Sequence, residues 1–121
     1  MRILLAEDEE ILRMLIMDTL EDEDYVVDEA ADGQEAMEFL KMNVYDLVIL
    51  DYMMPVLTGI EVIQNIRREG HNKDAKIMML SAKSQQHEQD KVLKAGADYF
   101  MAKPFSPLEL LDKVNGILHG I

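Results

Sequence analysis

The run Leu47-Val48-Ile49-Leu50 has no polar side chain on either face of a strand. Successive side chains of a strand point to opposite faces, so this run needs apolar cover on both sides. Central strands of parallel sheets receive that cover from helices packed above and below. Four further short segments read as partners. Ile3 to Ala6 is apolar and too short for a helix, and Ala75 to Leu80 is a similar run. Tyr25-Val26-Val27 opens a poorer strand, and Asp98 to Met101 a fifth.

Between these runs the apolar period changes to that of a helix. Ile11, Leu12, Leu15, Ile16, Thr19 and Leu20 predict a helix over about residues 9 to 22, with acids near its amino end. After the turn signal Asp32-Gly33, the residues Ala36, Met37, Phe39 and Leu40 mark a second helix. Ile60, Ile63 and Ile66 mark a third, closed by Gly70. Gln85 to Ala95 has helical period but few apolar anchors, Val92 and Leu93 chief among them, and Gly96 ends it. Pro107 suits a helix start, and Leu108, Leu111, Val114 and Leu118 form the last stripe.

Five strands, each followed by a helix, predict an α/β fold with a doubly wound five-stranded parallel sheet and five helices, a flavodoxin-like three-layer sandwich. The 121 residues suffice for one core, so residues 1–121 read as a single domain. No stretch approaches the roughly 18 consecutive apolar residues of a membrane span. The opening lacks the pattern of a signal peptide, and with no cysteine in the chain a cytoplasmic setting is expected. A formal charge of -12 repels phosphate backbones, which argues against direct nucleic-acid binding.

In doubly wound sheets, function gathers at the carboxyl ends of the strands. Glu7 and Asp8 follow the first strand, Asp51 the third, Ser81 the fourth and Lys103 the fifth. Three carboxylates in a partly desolvated cleft repel, so one holds a proton or a hard dication bridges them. Magnesium is the better candidate, because it takes few protein ligands and spans carboxylate and phosphate oxygens. Asp8 and Asp51 are assigned as direct ligands, Glu7 through water, and the Met53 carbonyl as a further oxygen. Lys103 offers a cation able to pair first with Asp51 and then with phosphoryl oxygens, and Ser81 a hydroxyl donor. The chemistry suggested is attack by Asp51 on phosphorus, giving an aspartyl phosphate that water later hydrolyses.

Taken together, the Glu7-Asp8 pair, Asp51-Tyr52-Met53-Met54-Pro55 with Thr58-Gly59, Ser81-Ala82, Gly96-Ala97-Asp98 and Lys103-Pro104-Phe105 resemble the response-regulator receiver family over essentially the full length. The resemblance implies magnesium-dependent phosphorylation at Asp51 from a sensor histidine kinase or histidine phosphotransfer protein. It implies a chain that is no conventional enzyme but catalyses its own phosphorylation and dephosphorylation. It also implies that Ser81 moves toward the phosphoryl group, that Phe100 turns inward behind it, and that Lys103-Pro104 is a cis peptide. Glu7 stands where Asp is usual and Phe100 where Tyr is frequent. Met53 and Lys83 occupy positions expected to tune dephosphorylation.

The output surface expected from the resemblance is the fourth helix, fifth strand and fifth helix, used by a downstream protein or a phosphorylation-dependent homodimer. Tyr99 is expected to face outward, and His71, His87 and His119 to lie on the surface. The chain stops after its fifth helix without an output domain; it is either a complete single-domain regulator or a receiver belonging to a longer protein. Two rivals remain open. One is a magnesium-dependent phosphatase-like hydrolase with an Asp nucleophile, which wants a second acid at the position of Met53. The other is an unphosphorylated interaction module of the same fold.

Overall fold

The computed structural model describes residues 1–68 and 70–120. Its elements alternate without exception: β1 (Arg2–Ala6), α1 (Glu10–Glu21), β2 (Val26–Ala30), α2 (Gly33–Met42), β3 (Leu47–Asp51), α3 (Gly59–Arg68), β4 (Lys76–Ser81), α4 (Gln86–Ala95), β5 (Tyr99–Ala102) and α5 (Pro107–His119). The strands form one parallel sheet in the order β2-β1-β3-β4-β5. The order reverses at β1 and β3, so their carboxyl ends open onto a crevice with helices diverging on either side.

The two-residue period of the strands sorts the core into two layers. Leu4, Ala6, Val48, Leu50, Ile77 and Met79 face α2, α3 and α4, where they meet Ala36, Leu40, Val62, Ile63 and Val92. Ile3, Leu5, Leu47, Ile49, Met78 and Leu80 face α1 and α5, meeting Ile16, Leu20, Leu110 and Val114. All four residues of the Leu47–Leu50 run have no exposed surface, as two-sided cover requires. No helix among the described residues is long and apolar enough to cross a membrane.

Several stripe residues do not reach the core. Ile11 is 80% exposed and Leu15 44%, while Ile16 and Leu20 carry the buried face of α1. Leu93 and Leu108 also lie in solvent; Leu110 takes the buried place at the start of α5. Tyr99 does not face outward: it packs against the α1/α5 layer, with the Lys113 ammonium 5.5 Å from its ring centre. The three histidines are exposed, and His119 stacks on Tyr25.

Below the sheet, at the amino ends of the strands, Asn72 joins three segments. Its Oδ1 accepts from the Tyr45 N–H at 2.7 Å, and its Nδ2 donates to the carbonyls of Leu40 and Asn43 at 2.9 and 2.8 Å. Alanine here leaves buried backbone groups unpaired, at about 1–3 kcal/mol each before relaxation. Asn72→Ala is therefore expected to lower stability by about 2–3 kcal/mol in urea unfolding, with the slope unchanged.

Candidate functional site

Asp51 is the last residue of β3 and Ser81 the last of β4, so both side chains are held by the sheet rather than by the loops beyond it. Glu7 directly follows β1, where its N–H still donates to the Ala30 carbonyl of the neighbouring strand. Glu7, Asp51 and Ser81 are buried, and Asp8 is exposed at the rim. One carboxylate oxygen from each of Glu7, Asp8 and Asp51 lies within 4.8 Å of the others.

Lys103 reaches this group from the far edge of the sheet. Its N–H donates to the Ser81 carbonyl at 2.8 Å, and the following peptide, Lys103-Pro104, is cis. The ammonium bonds Glu7 Oε1 at 2.7 Å and Asp51 Oδ1 at 3.1 Å. Glu7 is thus the nearer partner, where the sequence suggested Asp51 alone. The other oxygen of Glu7 accepts the Glu9 N–H at 3.1 Å, and its backbone carbonyl accepts from Arg13 at 2.8 Å.

One ammonium does not balance three carboxylates. Two unit charges about 5 Å apart repel by roughly 3 kcal/mol at the effective dielectric of a protein site. Burial, and then the neighbouring Glu7 carboxylate, push the Asp51 carboxyl up to about 7; Lys103 opposes this and Asp8 adds to it. Burial of Lys103 works against its charge, but its bonds to Glu7 and Asp51 together outweigh that and raise its pKa. The remaining excess of negative charge on hard oxygen donors is what a small divalent cation would relieve. Asp8 is open to solvent, and Asp51 Oδ2 accepts no hydrogen bond among the described residues, whereas both Glu7 oxygens are engaged. The donor set therefore fits magnesium, with Asp8 and Asp51 the freest to ligate and Glu7 better suited to act through water.

Ser81 Oγ accepts the Lys83 N–H at 2.9 Å, which leaves its hydroxyl proton free to donate. Gln85 is the N-cap residue of α4. The Lys83 ammonium lies 5.8 Å from the centre of the Tyr52 ring, and Met53 is 58% exposed on the loop after Asp51. Phe100 is half-buried against the layer formed by α2, α3 and α4. A hollow of about 550 Å³ between α2 and α3, lined in part by Met37, Leu40, Leu57 and Ile66, contains none of these residues.

Gly59 shapes the floor of the site. A Cβ there would sit 2.5 Å from the Asp51 carbonyl oxygen and 2.8 Å from the Met79 methyl. Its N–H donates to the Tyr52 carbonyl, closing the loop back onto β3. Gly59→Ala must push α3 away from the acceptor strand and is expected to cost about 2–4 kcal/mol in thermal or urea unfolding.

Sequence reading missed Arg67, whose guanidinium ties three segments behind the site. It donates to the Gly96 carbonyl at 3.0 Å, to the Lys73 and Ala75 carbonyls at 2.8 Å each, and to Asp98 at 2.7 Å. Asp98 in turn accepts the Ile77 N–H at 2.9 Å, which accounts physically for an acid just before β5. Nothing in the local period around Arg67 marks it, because its partners are mostly backbone carbonyls distant in sequence.

An α/β sandwich with an acidic cleft and one lysine at the carboxyl edge of its sheet defines a class of phosphoryl-handling domain. The family model described as the response regulator receiver domain matches residues 3–115, and the chain belongs to that family. It is 42% identical over 118 residues to the transcriptional regulatory protein ResD of Bacillus subtilis, covering 97% of this chain and 48% of that protein. It is 39% identical over 115 residues to DltR of Streptococcus agalactiae, covering 95% and 50% respectively. The chain thus spans about half the length of these relatives. Among solved structures, CheY4 of Vibrio cholerae superposes with a TM-score of 0.92 at 32% identity, covering 97% of this chain and 98% of that one. The receiver domain of sensor histidine kinase PA1611 from Pseudomonas aeruginosa matches with a TM-score of 0.88 at 30% identity, covering 98% and 97%; it has a magnesium ion coordinated in its active site cleft.

Proposed function

We propose that the chain is a phosphorylation-dependent signalling switch whose Asp51 carboxylate takes a phosphoryl group from the phosphohistidine of a sensor histidine kinase or histidine phosphotransfer protein. The observation that carries this reading is the buried Asp51, paired with Lys103 at 3.1 Å and crowded by Glu7 and Asp8. An Asp51 oxygen attacks phosphorus, the bond to the donor nitrogen breaks, and the histidine leaves with a proton. Lys103 then shifts its hydrogen bonding toward the phosphoryl oxygens, and Ser81 donates its hydroxyl to one of them. Magnesium, which receiver domains bind at this acidic site, would be held by Asp8, Asp51 and the Met53 carbonyl with Glu7 acting through water, and supplies charge neutralisation to the transferring oxygens. Attack by water on the acyl phosphate returns free phosphate and Asp51. Met53 and Lys83, on the loops flanking the acceptor, tune that second step.

Switching follows from the displacement of Ser81. Phe100, half-buried next to the ladder between β4 and β5, turns inward behind it. The altered surface is that of α4, β5 and α5, which serves a downstream protein, a linked output domain or a second phosphorylated copy. The work is cytoplasmic and involves neither membrane nor direct nucleic-acid contact. Amide exchange with and without acetyl phosphate and magnesium tests this reading. Exchange is expected to change within residues 81–105 in the wild type and to stay unchanged in Asp51→Asn. Phosphoryl incorporation with no change in exchange would defeat the switch and favour a passive interaction module.

A further inference from the structure

Three helices begin with reciprocal side-chain bonds. Asp32 accepts the Glu35 N–H at 2.8 Å while Glu35 accepts the Ala31 N–H at 2.7 Å, at the start of α2. Thr58 and Glu61 exchange such bonds at 3.2 and 3.0 Å before α3, and Ser106 and Glu109 at 3.1 and 3.2 Å before α5. These pairings satisfy amide donors that a helix start leaves free. α4 carries Glu88 at the corresponding third position, yet Gln85 makes no side-chain cap bond. Glu88 Oε2 is buried without a hydrogen-bond partner among the described residues.

A buried carboxylate oxygen with no donor is unfavourable, so this arrangement biases the helix start toward any geometry that brings one. Glu88 lines a cleft of about 470 Å³ together with Ala82, Lys83, Ser84 and Gln85. One amide there has a partner that the proposed displacement of Ser81 would take away: the Lys83 N–H, donated to Ser81 Oγ at 2.9 Å. The opposite end of α4 is fixed. Gly96 sits at φ 122° with its carbonyl bonded to Arg67, and a Cβ there would lie 2.9 Å from the Arg67 side chain. The amino end of α4, beside Lys83, carries no side-chain cap.

We infer that Glu88 is the acceptor that takes over the Lys83 N–H when Ser81 releases it, so that the first turn of α4 is closed by the same event that engages Ser81 with the phosphoryl group. This rests on the reading that Ser81 turns toward phosphorylated Asp51. The exchange breaks one hydrogen bond and makes another, to a charged acceptor in place of a neutral one. Glu88 thereby positions the helix start and takes no part in phosphoryl transfer.

Residue-resolved amide exchange by NMR tests the inference without and with phosphorylation. In the unphosphorylated protein, Ser81→Ala removes the resting acceptor; Lys83 protection is expected to persist, because Glu88 replaces it. The double variant Ser81→Ala/Glu88→Ala is expected to lose that protection about tenfold or more. With acetyl phosphate and magnesium, wild type and Glu88→Gln keep Lys83 protected, while Glu88→Ala takes the same phosphoryl load by intact mass and loses protection by a similar factor. Equal Lys83 protection in the single and double Ser81 variants would overturn the inference. So would equal protection in phosphorylated wild type and Glu88→Ala. Failure of Asp51 to accept phosphate would instead strike the functional reading, and the unphosphorylated pair would still decide the role of Glu88.

Discussion

Lys103→Met is expected to unfold in urea with about 2–4 kcal/mol less stability at pH 8 in the absence of divalent cations. Methionine keeps much of the apolar stem but removes the ammonium that lies 2.7 Å from Glu7 and 3.1 Å from Asp51. Glu7 has no exposed surface, so its carboxylate cannot exchange the lost partner for water. The lysine side chain is 18% exposed, which places the effect below that of a fully enclosed pair. The loss should shrink as the pH falls through about 7, where Asp51 takes up a proton and part of the repulsion disappears. It should also shrink in millimolar magnesium. An unchanged urea midpoint at pH 8 would show that the lysine does not hold the carboxylates together.

Asp51→Asn is expected to act in the opposite direction, raising stability at pH 8 by about 1–3 kcal/mol. The folded protein holds the Asp51 proton up to about pH 7, against an ordinary value of 3.8. A group whose folded value is raised in this way costs nothing below the ordinary value. Its penalty grows as pH rises between the two and is complete above the folded one. The gain from asparagine should therefore be full at pH 8 and fade toward pH 4, offset somewhat by the lost charge on a partner of Lys103. Urea unfolding across that range, without divalent cations, measures it. A gain independent of pH would mean that the benefit does not come from the buried charge.

Both variants probe a site whose membership was readable before its geometry was. Glu7, Asp8, Asp51, Ser81 and Lys103 come from four different strand ends, and the alternation of apolar runs alone was enough to send them to one edge of the sheet. Asp51 and Ser81, read from the sequence as directly following their strands, are instead the last residues of β3 and β4. Ladder pairing, such as Asp51 opposite Leu80, continues through a polar residue, and hydrophobicity cannot register that. The same limit explains Ile11, Leu15 and Leu93. A stripe wider than the contact it feeds has apolar residues left over, and only the neighbouring layer decides which ones are covered.

Tyr99 and Phe100 show a related ambiguity. Their alternation was legible, but in a sheet covered on both faces, opposite directions both lead inward. The Arg67 clamp and the open cap at Glu88 were not legible at all. A Glu at the third position of a helix reads identically whether its bond is made or missing. An arginine that serves backbone carbonyls leaves no pattern of complementary charges.

A switch of this kind requires that Asp51 be the residue that carries the phosphoryl group. Intact mass spectrometry after incubation with acetyl phosphate and magnesium, followed by peptide mapping, measures this directly. The expected result is one phosphoryl addition, labile to acid and base, on the peptide containing Asp51, lost on chelation of the metal before reaction and absent from Asp51→Asn. Stoichiometric addition that persists in Asp51→Asn, or no addition to the folded wild type, would contradict it.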